Sequence, residues 1–156
     1  MKSYLDQRGF LPEGVHNKDW RWTESLVLDE WRKTLIERAK EFCQQEFQVF
    51  QDIETELYLA GSFFSDKTHP QDIEILLHLP NDISNYNHYK KLASINTLHD
   101  KIEDDLNLDV WITTPSNTRK DFRKFFQYIG EKSAQAKDLN AKDKRGIVRI
   151  MKWHHA

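Results

Sequence analysis

The chain has 156 residues, a formal net charge of −2 and 38% hydrophobic residues, which suits one domain with a substantial core. Its single cysteine excludes a disulfide framework within the chain and a cysteine-based zinc site. A charge this close to zero gives no overall attraction to nucleic acid or to an anionic membrane. A nucleic-acid partner would therefore have to bind a local basic patch.

The sequence also predicts a location for the protein. No apolar run approaches the roughly 20 residues of a membrane span. Residues 1–14 lack the apolar segment of a signal peptide. We therefore expect a cytoplasmic protein with no membrane partner.

The first half of the chain alternates between arm, helix and strand patterns. Glycine and proline interrupt residues 1–22, so we expect an ordered arm there. Apolar residues then recur at helical spacing from Thr23, a fair N-cap, to about Phe50. Residues 57–60 read as a strand, and a tight corner at Gly61-Ser62 ends it.

A second strand over residues 72–77 follows a polar excursion and carries the first chemical signal. Strand side chains alternate between faces, so Asp72 and Glu74 share one face of this strand. Two neighbouring carboxylates on an otherwise apolar strand repel each other and are poorly solvated when buried. A divalent cation removes that penalty and turns the pair into a binding site.

The second half of the chain predicts four further elements and one loop. We expect a helix over 85–105, a strand over 106–113, a helix over 116–130 and a short last strand over 146–151. The polar segment 131–145 predicts a mobile loop.

Two groups of charged residues lie on the predicted helices. The acids Glu103, Asp104 and Asp105 end the 85–105 helix, and we interpret them as solvated surface acids rather than metal ligands. The 116–130 helix has a predicted buried face of Phe122, Phe125, Phe126 and Ile129, and its basic residues are Arg119, Lys120, Arg123 and Lys124. A solvated face is the ordinary interpretation of that basic surface, and contact with a triphosphate or a nucleic acid is the alternative.

The order of these features resembles a known signature. A strand, Gly61-Ser62, nine residues, Asp72-Ile73-Glu74 and an apolar strand together resemble the motif of the nucleotidyltransferase superfamily, the polymerase-β-like fold. The resemblance implies that Gly61 and Ser62 hold a nucleoside triphosphate and that Asp72 and Glu74 hold Mg²⁺ or Mn²⁺. It also calls for a third carboxylate on a neighbouring strand, which Asp109 supplies. Asp109 is then a metal ligand and a candidate base.

The chemistry of these residue types agrees with the resemblance. Glycine lets a backbone approach a phosphate closely, and amides at the start of a helical turn suit phosphate oxygens. Lys67 is the nearest basic residue and is either a phosphate contact or a solvated loop lysine. Each part alone also has an ordinary structural interpretation, since Gly-Ser pairs form turns and edge strands carry solvent-facing acids.

The resemblance implies an α/β (α+β) fold over residues 1–156, the minimal nucleotidyltransferase fold, with a mixed β-sheet flanked by helices in a single domain. The implied activity is metal-dependent transfer of a nucleotidyl group from a nucleoside triphosphate such as ATP to a hydroxyl of a protein or RNA acceptor. The pattern LPxGxH at residues 11–16 is similar to the opening of small bacterial and phage nucleotidyltransferase-like proteins. Small stand-alone members often act in toxin–antitoxin or phage-defence pairs, so a cognate partner protein is also implied.

Two alternatives remain open. The first is a catalytically inactive binding or regulatory protein that keeps this fold. The second is a nucleic-acid-binding module that uses the basic residues of 119–124. Many such enzymes also use an additional helical domain to grip the acceptor, for which this chain has no room.

Overall fold

Five strands form one mixed sheet, and they are β1 (Val15–Lys18), β2 (Glu56–Ala60), β3 (Ile73–His78), β4 (Leu108–Thr113) and β5 (Ile147–Ile150). Their order across the sheet is β1-β5-β2-β3-β4. Strands β1 and β5 are parallel, as are β3 and β4, whereas β2 runs antiparallel to both of its neighbours. The computed structural model describes residues 3–118 and 120–155.

The helices flank this sheet. They are α1 (Trp20–Ser25), α2 (Glu30–Glu46), α3 (Tyr86–Thr97), α4 (His99–Leu106), α5 (Phe122–Phe125) and α6 (Gly130–Lys137), with 3₁₀ turns at Gln48–Phe50 and Ser62–Phe64. Helices α2, α3 and α4 pack against the sheet around the larger core. A smaller apolar cluster, which includes Leu76 and Phe126, covers part of the other face. The predicted fold class, a mixed sheet flanked by helices in one domain, is confirmed.

The alternation predicted for the second strand is confirmed. Ile73, Ile75 and Leu77 lie in the larger core. Leu76 belongs to the smaller cluster on the opposite face, which is the face of Glu74. Asp72 directly precedes β3 rather than lying within it. Asp72 and Glu74 therefore lie where the strand begins, and Glu74 is on the face opposite the larger core.

The predicted first helix is shorter at both ends. It begins at Glu30 because the Asp29 carboxylate accepts a hydrogen bond from the Arg32 amide at 2.8 Å, so Asp29 is the N-cap. Thr23 is not the cap: it lies inside α1, where its hydroxyl donates to the Trp20 carbonyl. The preceding arm also contains β1, which its irregular sequence did not predict.

The predicted 85–105 helix is interrupted at Leu98, which divides it into α3 and α4. Helix α4 ends at Leu106 and is capped by Asn107, whose φ of 58° lies in the left-handed region that asparagine tolerates. The chain therefore enters β4 directly, and α4 lies beside the strand that carries Asp109.

The C-terminal predictions are wrong in two places. The expected 116–130 helix is reduced to the single turn of α5, and Phe125 in it is 48% exposed rather than buried. The expected loop over 131–145 begins with helix α6, which buries Ala134. Helix α6 packs through a small residue, Ala134, rather than through large apolar ones, so the sequence showed no hydrophobic periodicity that would predict the helix.

The basic surface predicted on that helix is partly neutralised. Arg123 forms ion pairs with Asp121 and Glu56, both at 3.2 Å. The Lys120 ammonium lies 3.4 Å from the centre of the Phe125 ring. Arg119, the first member of the predicted patch, lies outside the described residues.

Across the described residues, none of the helices combines the length and the apolar character that a membrane crossing requires.

Candidate active site

The Gly61-Ser62 turn follows β2 and packs directly against β3, the strand that carries Glu74. Gly61 has φ 96°, a conformation that side-chain-bearing residues rarely adopt. A Cβ atom at this position would lie 3.2 Å from Cδ of Glu74. The Phe64 amide donates to the Gly61 carbonyl at 3.1 Å and closes the helical turn. Glycine is needed here both for the turn and for the close approach to Glu74.

A buried arginine holds this turn from behind. Arg32 is 1% exposed, and its Nη1 pairs with the Asp29 carboxylate at 2.8 Å. Its other donors reach four carbonyl oxygens, those of Phe63 at 2.8 Å, Ser62 at 3.3 Å, Ser65 at 3.0 Å and Lys67 at 2.6 Å. These carbonyl oxygens therefore point into the protein, where they cannot repel an anion in front of the turn.

The predicted acids are neighbours. Glu74 on β3 is the register partner of Asp109 on β4, and Asp72 directly precedes β3. Burial raises the pKa of Glu74 to about 7, the charge of Arg145 opposes this, and the charges of Asp109 and Asp72 add to it. The three carboxylates thus act on one another electrostatically.

Asp72 is hydrogen-bonded to a carboxyl that the sequence analysis left on the surface. Glu103, on α4, makes this bond, and two carboxyl groups can form one only when one of them is protonated. Burial, this hydrogen bond and the charge of Asp72 raise the pKa of Glu103 to about 8. Burial also raises the pKa of Asp72. Within the pair, contact with Asp72 raises the pKa of Glu103, whereas contact with Glu103 lowers that of Asp72, so Glu103 is the carboxyl that binds a proton more readily.

Asp109 is held by a histidine. Its carboxylate lies 2.6 Å from Nε2 of His99, the first residue of α4. The His99 ring stacks on Trp111 with 4.0 Å between ring centres. Burial disfavours the charged ring, but hydrogen bonds to Asp109 and Asp100 outweigh it and raise the pKa of His99. Trp111 therefore supports the residue that orients Asp109.

A cavity of about 520 Å³ opens in front of the turn and the acids. Ser62, Lys67, Asp72 and Glu74 of the predicted site line it, together with residues of α6 and the segment before β5. A larger cavity, of about 1120 Å³, lies between the N-terminal arm and the α1–α2 connection, away from these acids. The smaller cavity is the candidate active site because the paired acids and the turn meet there.

The residues of this site fit a divalent cation by donor type. Carboxylate oxygens are the ligands that Mg²⁺ and Mn²⁺ prefer. Oε2 of Glu74 is buried and has no hydrogen-bond partner among the described residues, so a cation would satisfy it. In residues 3–118 and 120–155, however, no three His, Cys, Asp or Glu side chains are arranged to hold a metal ion together. Asp72 and Asp109 are instead engaged by Glu103 and His99.

Three residues of the site were not predicted from the sequence. His99 and Glu103 are four residues apart on α4, a spacing that places both on one helix face, and this was a usable signal. Arg145 lay in the expected loop, where no pattern distinguished it from the lysines around it.

The comparisons with known proteins give one match. A family model described as "Family of unknown function (DUF6932)" matches residues 3–151. No curated protein and no solved structure matches the chain.

Proposed function

We propose that this chain, which belongs to the family of unknown function DUF6932, is a nucleotidyltransferase-like protein that transfers a nucleotidyl group from a nucleoside triphosphate to a hydroxyl group of a protein or RNA. One observation carries the proposal: the Gly61-Ser62 turn contacts Glu74, and Ser62, Asp72 and Glu74 line one cavity. A phosphate-binding turn beside convergent carboxylates is what such a transfer requires.

The residues divide the reaction between them. Gly61, Ser62 and Lys67 bind the outer phosphates of the triphosphate. Asp109, oriented by His99, takes the proton of the acceptor hydroxyl. The acceptor oxygen then forms a bond to the α-phosphorus, and the bond from that phosphorus to the bridging oxygen of the β-phosphate breaks. Pyrophosphate leaves with the electron pair of that bond.

Glu74 would hold Mg²⁺ or Mn²⁺ together with Asp72 and Asp109, once these two acids turn away from Glu103 and His99. When bound, the cation supplies charge neutralisation for the phosphates and makes the acceptor oxygen a better nucleophile. Cation binding at Asp72 would compete with its contact to Glu103, because a carboxyl that is protonated is a poor ligand.

The acceptor is more consistent with a protein than with RNA. Arg123 is already paired with Glu56 and Asp121, so the surface around α5 offers less positive charge than its sequence suggests. Nucleic-acid binding depends on cations that are free to contact phosphates. A protein acceptor does not need these cations. The second member of a toxin–antitoxin or phage-defence pair is such an acceptor.

The test is a transfer assay. The protein is incubated with each labelled nucleoside triphosphate, Mg²⁺ or Mn²⁺, and a cell extract that contains proteins and RNA. Label should move to a macromolecule, and Asp72→Asn should reduce the transfer by at least about 100-fold, because it removes a ligand charge. Asp105→Asn is the matched control, since Asp105 is an exposed acid paired with Lys101. It should leave the transfer unchanged.

A second candidate function is regulation without catalysis. It is favoured by the engagement of Asp72 with Glu103 and of Asp109 with His99, which leaves two of the three acids committed to protein partners. In that case a triphosphate binds, but no macromolecule is labelled with either metal. That result in the assay above would exclude the enzyme and support the regulatory protein.

A further inference from the structure

A buried arginine lies on the cavity wall without using its full set of donors. Arg145 is 8% exposed, and its Nε and Nη1 atoms are buried and make no hydrogen bond to any described residue. Leaving a buried donor unpaired destabilises the folded state, and it does so more strongly when the group is charged. Buried polar groups in native proteins are nearly always hydrogen-bonded, so these free donors indicate a ligand as the missing partner.

The backbone fixes this arginine in place. The Arg145 amide donates to the Gln127 carbonyl at 2.7 Å, and the next amide, that of Gly146, donates to the Leu11 carbonyl at 2.9 Å. The chain then enters β5, which lies between β1 and β2 inside the sheet. The guanidinium carbon is 5.8 Å from the centre of the Phe10 ring, which is itself buried. Arg145 is therefore a rigid feature of the wall rather than a surface side chain.

An unpaired anion lies on the same cavity. Oε2 of Glu74 is buried without a partner among the described residues, and the charges of Glu74 and Arg145 act on each other. A structural ion pair would use these donors and this acceptor for each other. Here both are left unsatisfied and both line the cavity. A ligand that carries a cation and an anion together would satisfy each of them.

The remaining charges on the wall agree with such a ligand. Lys67, Lys132, Lys137 and Arg145 are the cationic lining residues, and Asp66, Asp72 and Glu74 are the anionic ones. The Asp66 carboxylate would repel an anion, but the Lys137 ammonium neutralises it at 2.8 Å. Lys67 and Lys132 are exposed at the rim. With a divalent cation at the acids, the wall becomes strongly positive, which suits a polyphosphate.

We infer that Arg145, which lies just before β5 and next to the Gly61-Ser62 turn that follows β2, binds the terminal phosphates of the triphosphate. The unpaired Nε and Nη1 atoms belong to a charged guanidinium, and hydrogen bonds from such a group to phosphate oxygens are shorter and stronger than neutral ones. The inference rests on the proposed function for the identity of the ligand. It assigns the phosphate site to a residue outside the sequence motif.

The experiment measures binding of inorganic tripolyphosphate, and separately of each nucleoside triphosphate, by calorimetry in the presence of Mg²⁺. Arg145→Gln should weaken tripolyphosphate binding by about 10- to 100-fold, the usual effect of losing hydrogen bonds to a charged group. Arg145→Lys should recover part of the affinity, since it restores the charge but not the two separate donor atoms of the guanidinium. Lys144→Gln, at the exposed neighbouring position, should bind within about twofold of wild type.

The outcomes separate this inference from the proposed function. Wild-type affinity in Arg145→Gln and Arg145→Lys overturns the inference, while Asp72-dependent label transfer by the wild-type protein would keep the function. Loss of tripolyphosphate binding in Arg145→Gln, with no label transfer by the wild-type protein, supports the phosphate site and overturns the transferase. Binding of nucleoside triphosphates without any binding of tripolyphosphate overturns the inference. If Arg145→Gln fails to fold, the tripolyphosphate affinity of Arg145→Lys is the test, because this variant keeps the buried charge. Weaker binding than wild type supports the inference, and wild-type affinity overturns it.

Discussion

At pH 8 the variant Glu74→Gln is expected to be more stable than the wild-type protein, by up to about 3 kcal/mol in the free energy of unfolding. Burial raises the pKa of Glu74 to about 7, from 4.5 for an ordinary glutamate, and one pKa unit corresponds to about 1.4 kcal/mol. The ionised carboxylate thus opposes folding, and an uncharged amide of the same shape does not. Thermal unfolding at several pH values would measure the difference.

The sign of the pH dependence follows from the raised pKa. Between about pH 4.5 and 7 the folded state binds more protons at Glu74 than the unfolded state, so this residue lowers stability as pH rises. Above pH 7 its contribution is constant. The difference between Glu74→Gln and wild type should therefore vanish below about pH 4.5 and reach its full size above pH 7.

The matched control is Glu56→Gln on the adjacent strand. Burial also disfavours the Glu56 carboxylate, but the Tyr58 hydroxyl and the charges of Arg149 and Arg123 outweigh it and lower its pKa. This carboxylate stabilises the fold above its unfolded pKa, so Glu56→Gln should be less stable than wild type at pH 8. A loss of stability in Glu74→Gln as well would contradict the view that Glu74 is held without a partner.

Bound ligand should make the wild-type protein more stable than Glu74→Gln, the reverse of their order without ligand. Mg²⁺ with a triphosphate should raise the melting temperature of the wild-type protein, because a ligand that binds the native state stabilises it. The Glu74→Gln variant should gain little, since it lacks one ligand charge. Equal gains in both proteins would remove Glu74 from the proposed metal site.

The second large effect is expected at Arg32. Arg32→Met would leave four carbonyl oxygens and the Asp29 carboxylate without this donor group. Water can solvate the Asp29 side chain, which is 42% exposed, so the loss comes mainly from the carbonyl oxygens, each of which costs about 1–3 kcal/mol when it is buried without a partner. Since domains have only about 5–15 kcal/mol of stability, this variant should be largely unfolded at 25 °C.

Arg32→Lys keeps the charge and tests the same idea in a folded protein. One ammonium cannot reach all four carbonyls, so we expect a loss of about 2–3 kcal/mol in urea unfolding. Hydrogen exchange at the Phe64 amide, which closes the turn, should speed up more than exchange in β2.

Arg38→Lys on the same helix is the control, because Arg38 is partly buried and donates to the Leu106 carbonyl and the Asn107 side chain rather than to the Gly61-Ser62 turn. It should cost less than about 1 kcal/mol. If Arg32→Lys and Arg38→Lys lose the same stability, the Gly61-Ser62 turn does not depend on Arg32.

The strands and their faces were predictable because they depend on local patterns. Alternation assigned Ile73, Ile75 and Leu77 to the core and Glu74 to the opposite face, and the structure agrees. The N-terminal strand β1 was not predictable in the same way. It exists because β5 supplies a parallel partner from the far end of the chain, and no window of neighbouring residues contains that information.

The candidate site divides in the same manner. Gly61, Ser62, Asp72 and Glu74 lie within a short stretch whose spacing is visible in the sequence. Arg32 and Arg145 are ordinary surface-type residues by composition, and only the fold buries them. Glu103 belongs with them, since its proximity to Asp72 depends on the left-handed residue Asn107, which turns the chain from α4 into β4.

The position of β5 also constrains how the protein can be made. This strand is the last of the five in chain order, yet it lies between β1 and β2 in the sheet. Among the described residues, β1 pairs only with β5, so during synthesis it stays unpaired and apolar surface stays exposed until residue 150 has left the ribosome. The cavity wall formed by Arg145 is completed in that same step. Nascent chains stalled before residue 145 should therefore contain β3 with its acids but lack the Arg145 wall of the cavity. We expect chaperones to bind them through their exposed apolar surface.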